Sequence, residues 1–255
     1  MRRFEPSENL LVRKMEAFVR LPEEDKAALD RVWRGNRQSV SAQCDIVQEG
    51  DPPRWMRVIA KGWACRYKML VDGRRQITGF FLPGDMCDLN IFLLPRMDYS
   101  IRALEPVQYI ALSPFECEKL MAAHPLVLRA WWRETLANAA IQREWTVNLG
   151  QRSALERLAH LLCELHIRLK VIGMVSDDVF DFPITQLELA DTLGLTAVHV
   201  SRTLKELRTR NLIRLRGHRL CIADFHELCR IAMFDANYLH LEPERSIPEL
   251  QADCA

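Results

Sequence analysis

The 255-residue sequence lacks a long hydrophobic run and a large net charge, and both absences narrow its possible functions. No apolar stretch approaches the roughly 18 residues that a membrane-spanning helix needs. The charged start, Met1-Arg2-Arg3-Phe4-Glu5, is not followed by the apolar core of a secretory signal. A formal net charge of +1 argues against nucleic-acid binding over the whole surface, but it allows a local basic patch. We therefore expect a cytoplasmic protein with no membrane partner.

Metal-site and catalytic patterns are also missing. The eight cysteines contain no Cys-x-x-Cys pair, so they lack zinc-finger spacing, and we expect most of them to be small buried hydrophobic residues. No histidine occurs between residues 40 and 112, which disfavours a haem or a cupin-type metal site there. We find no paired carboxylates, Ser-His or Cys-His arrangement with persuasive spacing, and no glycine-rich phosphate loop. The sequence thus indicates no enzyme, no metal ligand and no identifiable cofactor.

The hydrophobic patterns predict an α+β chain. After about 40 helical residues, short β-type runs with turn signals extend from Val40 to Leu112, and Asp72-Gly73 is a strong hairpin signal. Many short strands at close spacing predict a β-roll of jelly-roll type, which we assign to residues 1–124.

A long helix is predicted next, over residues 125–150, because no Pro or Gly occurs between Pro125 and Leu149. A stripe at three- and four-residue steps suits a seam between two subunits of a homodimer, and packing on the helix's own domain is the alternative. The stripe consists of Leu128, Trp131, Thr135, Ala139, Gln142, Thr146 and Leu149.

Residues 151–232 contain the most informative segment, a predicted helix-turn-helix. Thr185 and Glu188 form a capping-box pattern that begins one helix, and Gly194 ends it. Thr196 can cap the next helix. We expect Leu187, Ala190 and Leu193 to be buried on the first helix, and Val200, Leu204 and Leu207 on the second.

The outward face of this unit predicts contact with the major groove of DNA. Small residues are followed there by hydrogen-bond donors and cations, which allow close approach and contacts with bases and phosphates. Between Thr196 and Leu220, seven cations occur with Glu206 as the one acid. A hairpin after the second helix predicts a wing with Arg216, Gly217 and His218 at its tip. The predicted DNA-binding residues are Thr185, Gln186, Thr196, Ala197, Val198, His199, Ser201, Arg202, Lys205, Arg216 and His218.

The layout from about residue 10 to 232 resembles the Crp/Fnr family, that of the cyclic-AMP receptor protein and the fumarate-nitrate reduction regulator. The most specific matches are Thr185 to Leu207 with the wing, and Pro83-Gly84-Asp85. The resemblance implies a cyclic-nucleotide-binding-like β-roll, a dimer helix, a winged helix-turn-helix that reads a palindromic operator in double-stranded DNA, and RNA polymerase as a partner. It also implies that Arg202 contacts guanine. The family's recognition glutamate is replaced by Val198, beside which His199 is a candidate contact.

The effector region departs from the family pattern. Cyclic-AMP binders carry Gly-Glu where Cys87-Asp88 stands and an Arg-Ser pair where Asp98-Tyr99 stands. An aspartate in place of an anion-binding arginine repels phosphate, so we expect no dependence on cyclic AMP. The implied pocket residues are Gly84, Asp85, Cys87, Asp88, Asp98, Tyr99, Gln142 and Arg143.

Other activities are left open by the sequence. No cysteine precedes Cys44, which excludes the family's N-terminal iron-sulfur pattern, whereas a redox role for Cys87 is possible. A ligand-binding module whose helix-turn-helix contacts protein is the alternative to a DNA-binding regulator. For residues 233–255, we expect Ile231, Phe234, Tyr238 and Leu239 to pack as a terminal helix, with a loose remainder.

Overall fold

The computed structural model describes residues 9–87 and 93–241. The chain divides into two compact units. The first contains the described residues up to 66 together with 80–136, and the second contains 67–79 and the described residues from 137 onward. No described helix is long and apolar enough to span a membrane.

The first unit is built mainly of strands, with helices at its beginning and end. Its two four-stranded sheets have the strand orders β1-β8-β3-β6 and β2-β7-β4-β5. In chain order the elements are α1 (Leu10–Glu16), α2 (Glu23–Trp33), β1 (Arg37–Val40), β2 (Asp45–Val47), β3 (Met56–Lys61), β4 (Ala64–Met69), β5 (Arg75–Phe81), β6 (Met86–Cys87), β7 (Ser100–Ala103), β8 (Val107–Leu112), α3 (Pro114–Ala123) and the start of α4 (Pro125–Gln151).

The core of this unit is formed by side chains from both sheets. Ile59 of β3 and Ile101 of β7 are fully buried in one cluster, together with Cys87 of β6. Strand β3 pairs with two neighbours, since Val58 lies opposite Ile110 on β8 and opposite Met86 on β6. The predicted β-roll and the α+β class are confirmed. The Asp72-Gly73 turn is also confirmed, by the Leu70 N–H donating to the Arg74 carbonyl at 2.8 Å.

The second unit contains residues 67–79 of the β4–β5 hairpin, the rest of α4 and all later elements. The later elements are α5 (Ala154–Val171), β9 (Val179–Asp181), α6 (Gln186–Leu193), α7 (Ala197–Thr209), β10 (Ile213–Arg216), β11 (Arg219–Ile222), α8 (Phe225–Ala232) and a 3-10 helix (Ala236–Leu239). Helix α4 continues through Gly150 to Gln151, one residue beyond the predicted end. Between α5 and α6 lies a strand that the sequence analysis did not predict, β9, which pairs with β11 at Phe180 and Leu220.

The predicted seam on α4 is partly wrong. Trp131 is fully buried within the monomer, so it is not available to a second subunit. Thr135, Ala139, Thr146 and Leu149 of the same stripe are exposed. The most exposed large apolar side chains lie one residue further on, at Trp132, Leu136 and Val147. The exposed face of α4 therefore includes part of the predicted stripe and extends towards the positions one residue later, which lie about 100° around the helix.

A buried acid joins α4, α5 and the C-terminal segment. Glu164 on α5 is fully buried. One of its carboxylate oxygens accepts hydrogen bonds from Trp145 Nε1 at 2.9 Å and from the Tyr238 hydroxyl at 3.0 Å, and the other accepts from Arg168 at 3.1 Å. Leu239, the residue after Tyr238, is buried, with 3% of its surface exposed. The prediction of one terminal helix is wrong, because Ile231 lies in α8, Phe234 follows the end of α8, and Tyr238 and Leu239 lie in the 3-10 helix. Residues 242–255 lie outside the described residues.

Most described cysteines are buried, as expected. Cys65, Cys87, Cys117, Cys163 and Cys229 are buried, whereas Cys44 is exposed and Cys221 is half-buried.

Gly84 makes an approach that only glycine allows. Its φ is +89°, and a Cβ atom built there would lie 2.7 Å from the Leu10 carbonyl oxygen. Gly73 has a similar φ of +85°, but no atom lies within 4 Å of its Cβ position. Alanine at Gly73 would therefore introduce backbone strain alone, whereas alanine at Gly84 would introduce backbone strain and a steric clash.

We expect Gly84→Ala to lower the free energy of unfolding by about 3 kcal/mol, and Gly73→Ala by about 1 kcal/mol, because only the first adds a clash to the positive φ. Urea denaturation followed by circular dichroism measures both losses. Equal losses would contradict the clash.

His160 is an uncharged histidine inside the second unit. It is fully buried, stacks on Tyr238 with ring centroids 5.7 Å apart, and lies 3.1 Å from the Asn148 amide nitrogen. Glu144 Oε1 is 3.3 Å from His160 Nε2, and the same carboxylate oxygen is 2.7 Å from Arg152. Burial, followed by the charge of Arg152, lowers the pKa of His160 from 6.5 to about 3.

A pH dependence of stability follows. Below pH 6.5 the unfolded chain binds a proton at His160 that the native state excludes, so stability falls as the pH drops from 6.5 towards 3. The slope from this group is at most about 1.4 kcal/mol per pH unit. His160→Gln should reduce the measured slope by up to about 1.4 kcal/mol per pH unit, which corresponds to one proton. Exposed His226→Gln is the matched control. Burial also lowers the pKa of His166, so part of the slope should persist. An unchanged slope in His160→Gln would contradict the assignment.

Candidate nucleic-acid interface

Helix α6 is the first helix of the site, and its ends are fixed by local hydrogen bonds. The Thr185 hydroxyl accepts from the Glu188 N–H at 3.2 Å, while the Thr185 N–H donates to the Glu188 carboxylate at 2.7 Å. Gly194 ends the helix in the left-handed conformation, at φ +63°. The predicted capping box and stop are both confirmed. Leu187 was wrongly predicted to be buried, because it is 61% exposed, and Leu189 is buried instead.

Helix α7 is held by its apolar underside. Val200, Leu204 and Leu207 are at most 1% exposed, and the helix packs on α5 and α6. The Thr196 hydroxyl accepts from the His199 N–H at 3.2 Å and begins the helix, as predicted. Because these contacts fix the rotation of α7, they also determine which side chains face outward.

The wing follows α7 directly. Strands β10 and β11 pair antiparallel, with Leu215 opposite Leu220 and Arg216 opposite Arg219. The turn contains Gly217 at φ +58°, and the His218 carbonyl accepts from the Phe182 N–H at 2.7 Å. The predicted wing tip is therefore confirmed as a tight turn.

The predicted DNA-facing residues are exposed in the structure. They lie at the N-terminal end of α6, along α7 and at the wing tip. The exposed set is Thr185, Gln186, Thr196, Ala197, Val198, His199, Ser201, Arg202, Lys205, Arg216 and His218.

The positive charge near these residues is partly neutralised. Arg210 forms an ion pair with Glu206 at 2.5 Å, and Arg219 lies 4.0 Å from Asp181. Within the described part of the chain, Arg202 and Lys205 form no ion pair with an acidic side chain, so their charges are available to phosphate or base acceptors.

The tip of the β4–β5 hairpin, residues 67–79, contacts the C-terminal end of α6. Arg75 Nε lies 2.8 Å from the Asp191 carboxylate, and the Gln76 amide donates to the Thr192 carbonyl at 3.1 Å. The Gln142 amide of α4 donates to the Thr78 carbonyl at 2.5 Å. The sequence analysis missed these contacts, because nothing local to Arg75 or Asp191 indicates a partner 116 residues away.

The implied effector-pocket residues have varied surroundings in the first unit. Asp85 is buried, binds Lys14 at 2.8 Å, and accepts from the Leu82 N–H at 2.9 Å. Cys87 belongs to the hydrophobic core, and Tyr99 packs against that core. The Arg66 guanidinium lies 5.3 Å from the centre of the Tyr99 ring.

The other implied pocket residues that the structure describes differ in exposure and in the unit to which they belong. Gly84 makes the close approach to Leu10 described above, and Asp98 is exposed. Gln142 and Arg143 belong to the second unit, and Asp88 lies outside the described residues. Among the described residues, no three His, Cys, Asp or Glu side chains are grouped to hold a metal ion.

Comparison with known proteins identifies both halves of the chain. The Crp-like helix-turn-helix domain matches residues 156–231, and the cyclic nucleotide-binding domain matches residues 37–124. The nitrogen fixation regulation protein FixK of Bradyrhizobium diazoefficiens is 32% identical over 181 residues, covering 71% of this chain and 75% of its own length. This chain belongs to the Crp/Fnr family of transcription regulators.

Other members support the assignment of this Crp/Fnr regulator. The transcriptional activator protein FnrL of Cereibacter sphaeroides is 28% identical over 230 residues, covering 89% of this chain and 91% of its own. The structure of FixK2 from Bradyrhizobium japonicum superposes with a TM-score of 0.70 at 26% identity, covering 79% of this chain and 98% of that one. The regulator is a DNA-binding transcription regulator of the Crp/Fnr type, a family that binds DNA and acts as dimers.

The Arg75–Asp191 contact is a testable link in this regulator. Both side chains are largely buried, so we expect a double-mutant cycle with alanine at each position to give a coupling of about 1–3 kcal/mol in the free energy of unfolding. The exposed Arg74–Asp72 pair in the same hairpin is the matched control, with an expected coupling of about 0–1 kcal/mol. Equal couplings for the two pairs would show that the Arg75–Asp191 contact stabilises the fold no more than an exposed ion pair does.

Proposed function

We propose that this regulator binds a palindromic operator as a homodimer, with α7 of each subunit in one major groove. The observation that carries the proposal is the outward row of α7, where exposed Ser201, Arg202 and Lys205 lie opposite buried Val200 and Leu204. Arg202 is suited to a bidentate contact with guanine, and Lys205 to a phosphate.

The two flanking segments supply contacts with the DNA backbone. Thr185 and Gln186 are exposed at the N-terminal end of α6, where the helix dipole favours an anion. Arg216, the last residue of β10, and His218 are exposed at the wing tip. These contacts orient α7 without reading sequence.

The dimer proposal rests on the free face of α4. Trp132, Leu136 and Val147 are 54%, 59% and 44% exposed, and Ala139 and Arg143 lie on the same side of the helix. The spacing of three and four residues is that of a two-helix seam. Two subunits joined there would present their α7 helices to grooves about 34 Å apart, which requires an inverted repeat.

Regulation by cyclic AMP is not part of the proposal. Asp98 is an exposed acid where the family's cyclic-AMP binders carry an arginine, and the neighbouring Tyr99 ring is covered by Arg66. We further propose that the regulator acts in the cytoplasm as an activator that contacts RNA polymerase.

Selection of bound sequences from a random DNA pool tests DNA reading. We expect purified protein without added nucleotide to enrich an inverted repeat containing guanine, and Arg202→Ala to weaken binding by about 10-fold to 100-fold, since a bidentate contact contributes about 1–3 kcal/mol. Exposed Arg34→Ala, which removes the same charge from α2's end, is the matched control.

Two results would contradict the proposed function. One is the absence of enrichment both with and without cyclic AMP. The other is equal binding by Arg202→Ala and Arg34→Ala. Enrichment only with cyclic AMP would instead contradict the predicted independence from that nucleotide.

The seam is tested by Leu136→Glu. A buried charge opposite its own copy should move the dimer dissociation constant upward by at least about 10-fold, as measured by analytical ultracentrifugation. Leu94→Glu, at an exposed leucine outside α4, should leave the dissociation constant unchanged. A dimer unaffected by Leu136→Glu would place the interface elsewhere.

A further inference from the structure

The outward face of α7 carries one large aliphatic side chain in an otherwise polar row. Val198 is 62% exposed, and it is the large hydrophobic residue of α7 that the structure leaves exposed. Its neighbours on the same face, Ser201, Arg202 and Lys205, are polar or charged. An isolated exposed valine is ordinary on a protein surface, so its position on the helix decides its importance.

Val198 lies at the centre of the outward face. At about 100° per residue, Val198 and Arg202 point within about 30° of the direction opposite the mean of Val200, Leu204 and Leu207, and Lys205 points within about 50° of it. The Arg202 side chain begins one turn further along the same line. No part of the packing of α7 on α5 and α6 requires Val198, because the buried residues of the helix are Val200, Thr203, Leu204 and Leu207.

The edges of the base pairs offer one apolar group to such a side chain. In the major groove each base presents hydrogen-bond donors and acceptors, and thymine alone adds a methyl group, at C5. A valine has no hydrogen-bonding atom, so a donor or acceptor facing it loses its water without gaining a partner. A thymine methyl loses only unfavourable contact with water.

We propose that Val198 selects a thymine in each half-site by packing against its 5-methyl group. The inference rests on the proposed function, in which α7 lies in the major groove. Four residues of helix rise about 6 Å, and base pairs stack about 3.4 Å apart. The selected A·T pair therefore lies one or two positions from the guanine that Arg202 contacts.

The experiment removes the thymine 5-methyl group from the DNA and the methyl groups of Val198 from the protein, each separately. The operator obtained by selection is synthesised with deoxyuridine in place of that thymine in both half-sites, which deletes two methyl groups and keeps every hydrogen-bonding atom. Dissociation constants are measured for the wild type and for Val198→Ala on both DNAs. Deoxyuridine at a thymine outside the half-sites is the DNA control.

The matched protein control is Leu187→Ala. Leu187 is 61% exposed on α6, so this substitution removes an aliphatic side chain that is as exposed as Val198 and belongs to the same helix-turn-helix. Both alanine variants leave the buried face of their helix intact.

The expected result is a coupled loss. Burying one methyl contributes about 0.8 kcal/mol, so wild type should bind deoxyuridine DNA about fourfold more weakly per half-site, or roughly 16-fold for the palindrome. Val198→Ala should bind thymine DNA more weakly and discriminate between the two DNAs by less than about twofold. Leu187→Ala should discriminate as the wild type does.

Other outcomes separate the two proposals. If wild type binds the operator in an Arg202-dependent way but ignores the methyl, the thymine contact is overturned and the proposed function stands. The thymine contact is also overturned if Val198→Ala and the wild type discriminate equally between the two DNAs. The same holds if the selected half-site has no A·T pair within two positions of the guanine. If no operator is selected under any condition, the proposed function itself fails.

Discussion

The burial of one face of α7 is the constraint on which the DNA-binding surface depends. Val200, Leu204 and Leu207 are removed from water by α5 and α6, and this packing leaves the helix a single rotation about its axis. A helix of 13 residues without that packing would have little stability of its own. The positions of Arg202 and Val198 on the outward side are therefore consequences of apolar contacts that neither residue makes.

The features that the sequence predicts well are those whose cause is local. A capping box spans four residues, a left-handed glycine is a property of one residue, and the Asp72-Gly73 hairpin is set by its own turn. The β-roll strands, the long helix and the wing followed from the same kind of signal. The exposure of the predicted DNA-facing residues on α7 then followed from the periodicity of that helix.

The wrong or missing predictions concern burial and contacts that depend on the tertiary surroundings of a residue. Trp131 and Leu187 have the right spacing for their predicted roles, but burial depends on which neighbours approach the helix, and spacing does not contain that information. The Arg75–Asp191 pair and the convergence of Trp145, Arg168 and Tyr238 on Glu164 join distant parts of the chain. Charged and aromatic residues of these types occur throughout the sequence, so no pattern singles out these partners.

The docked hairpin limits how the length of this segment can change. Strand residues alternate between the two faces of a sheet, so one residue added between Arg75 and Thr78 would turn the following side chains to the opposite face. The contacts with Asp191, Thr192 and Gln142 would not survive it together. At the turn, where Val71 is fully exposed, an added residue changes none of them. Within a few residues, the hairpin thus contains a segment that tolerates insertion and one of fixed length.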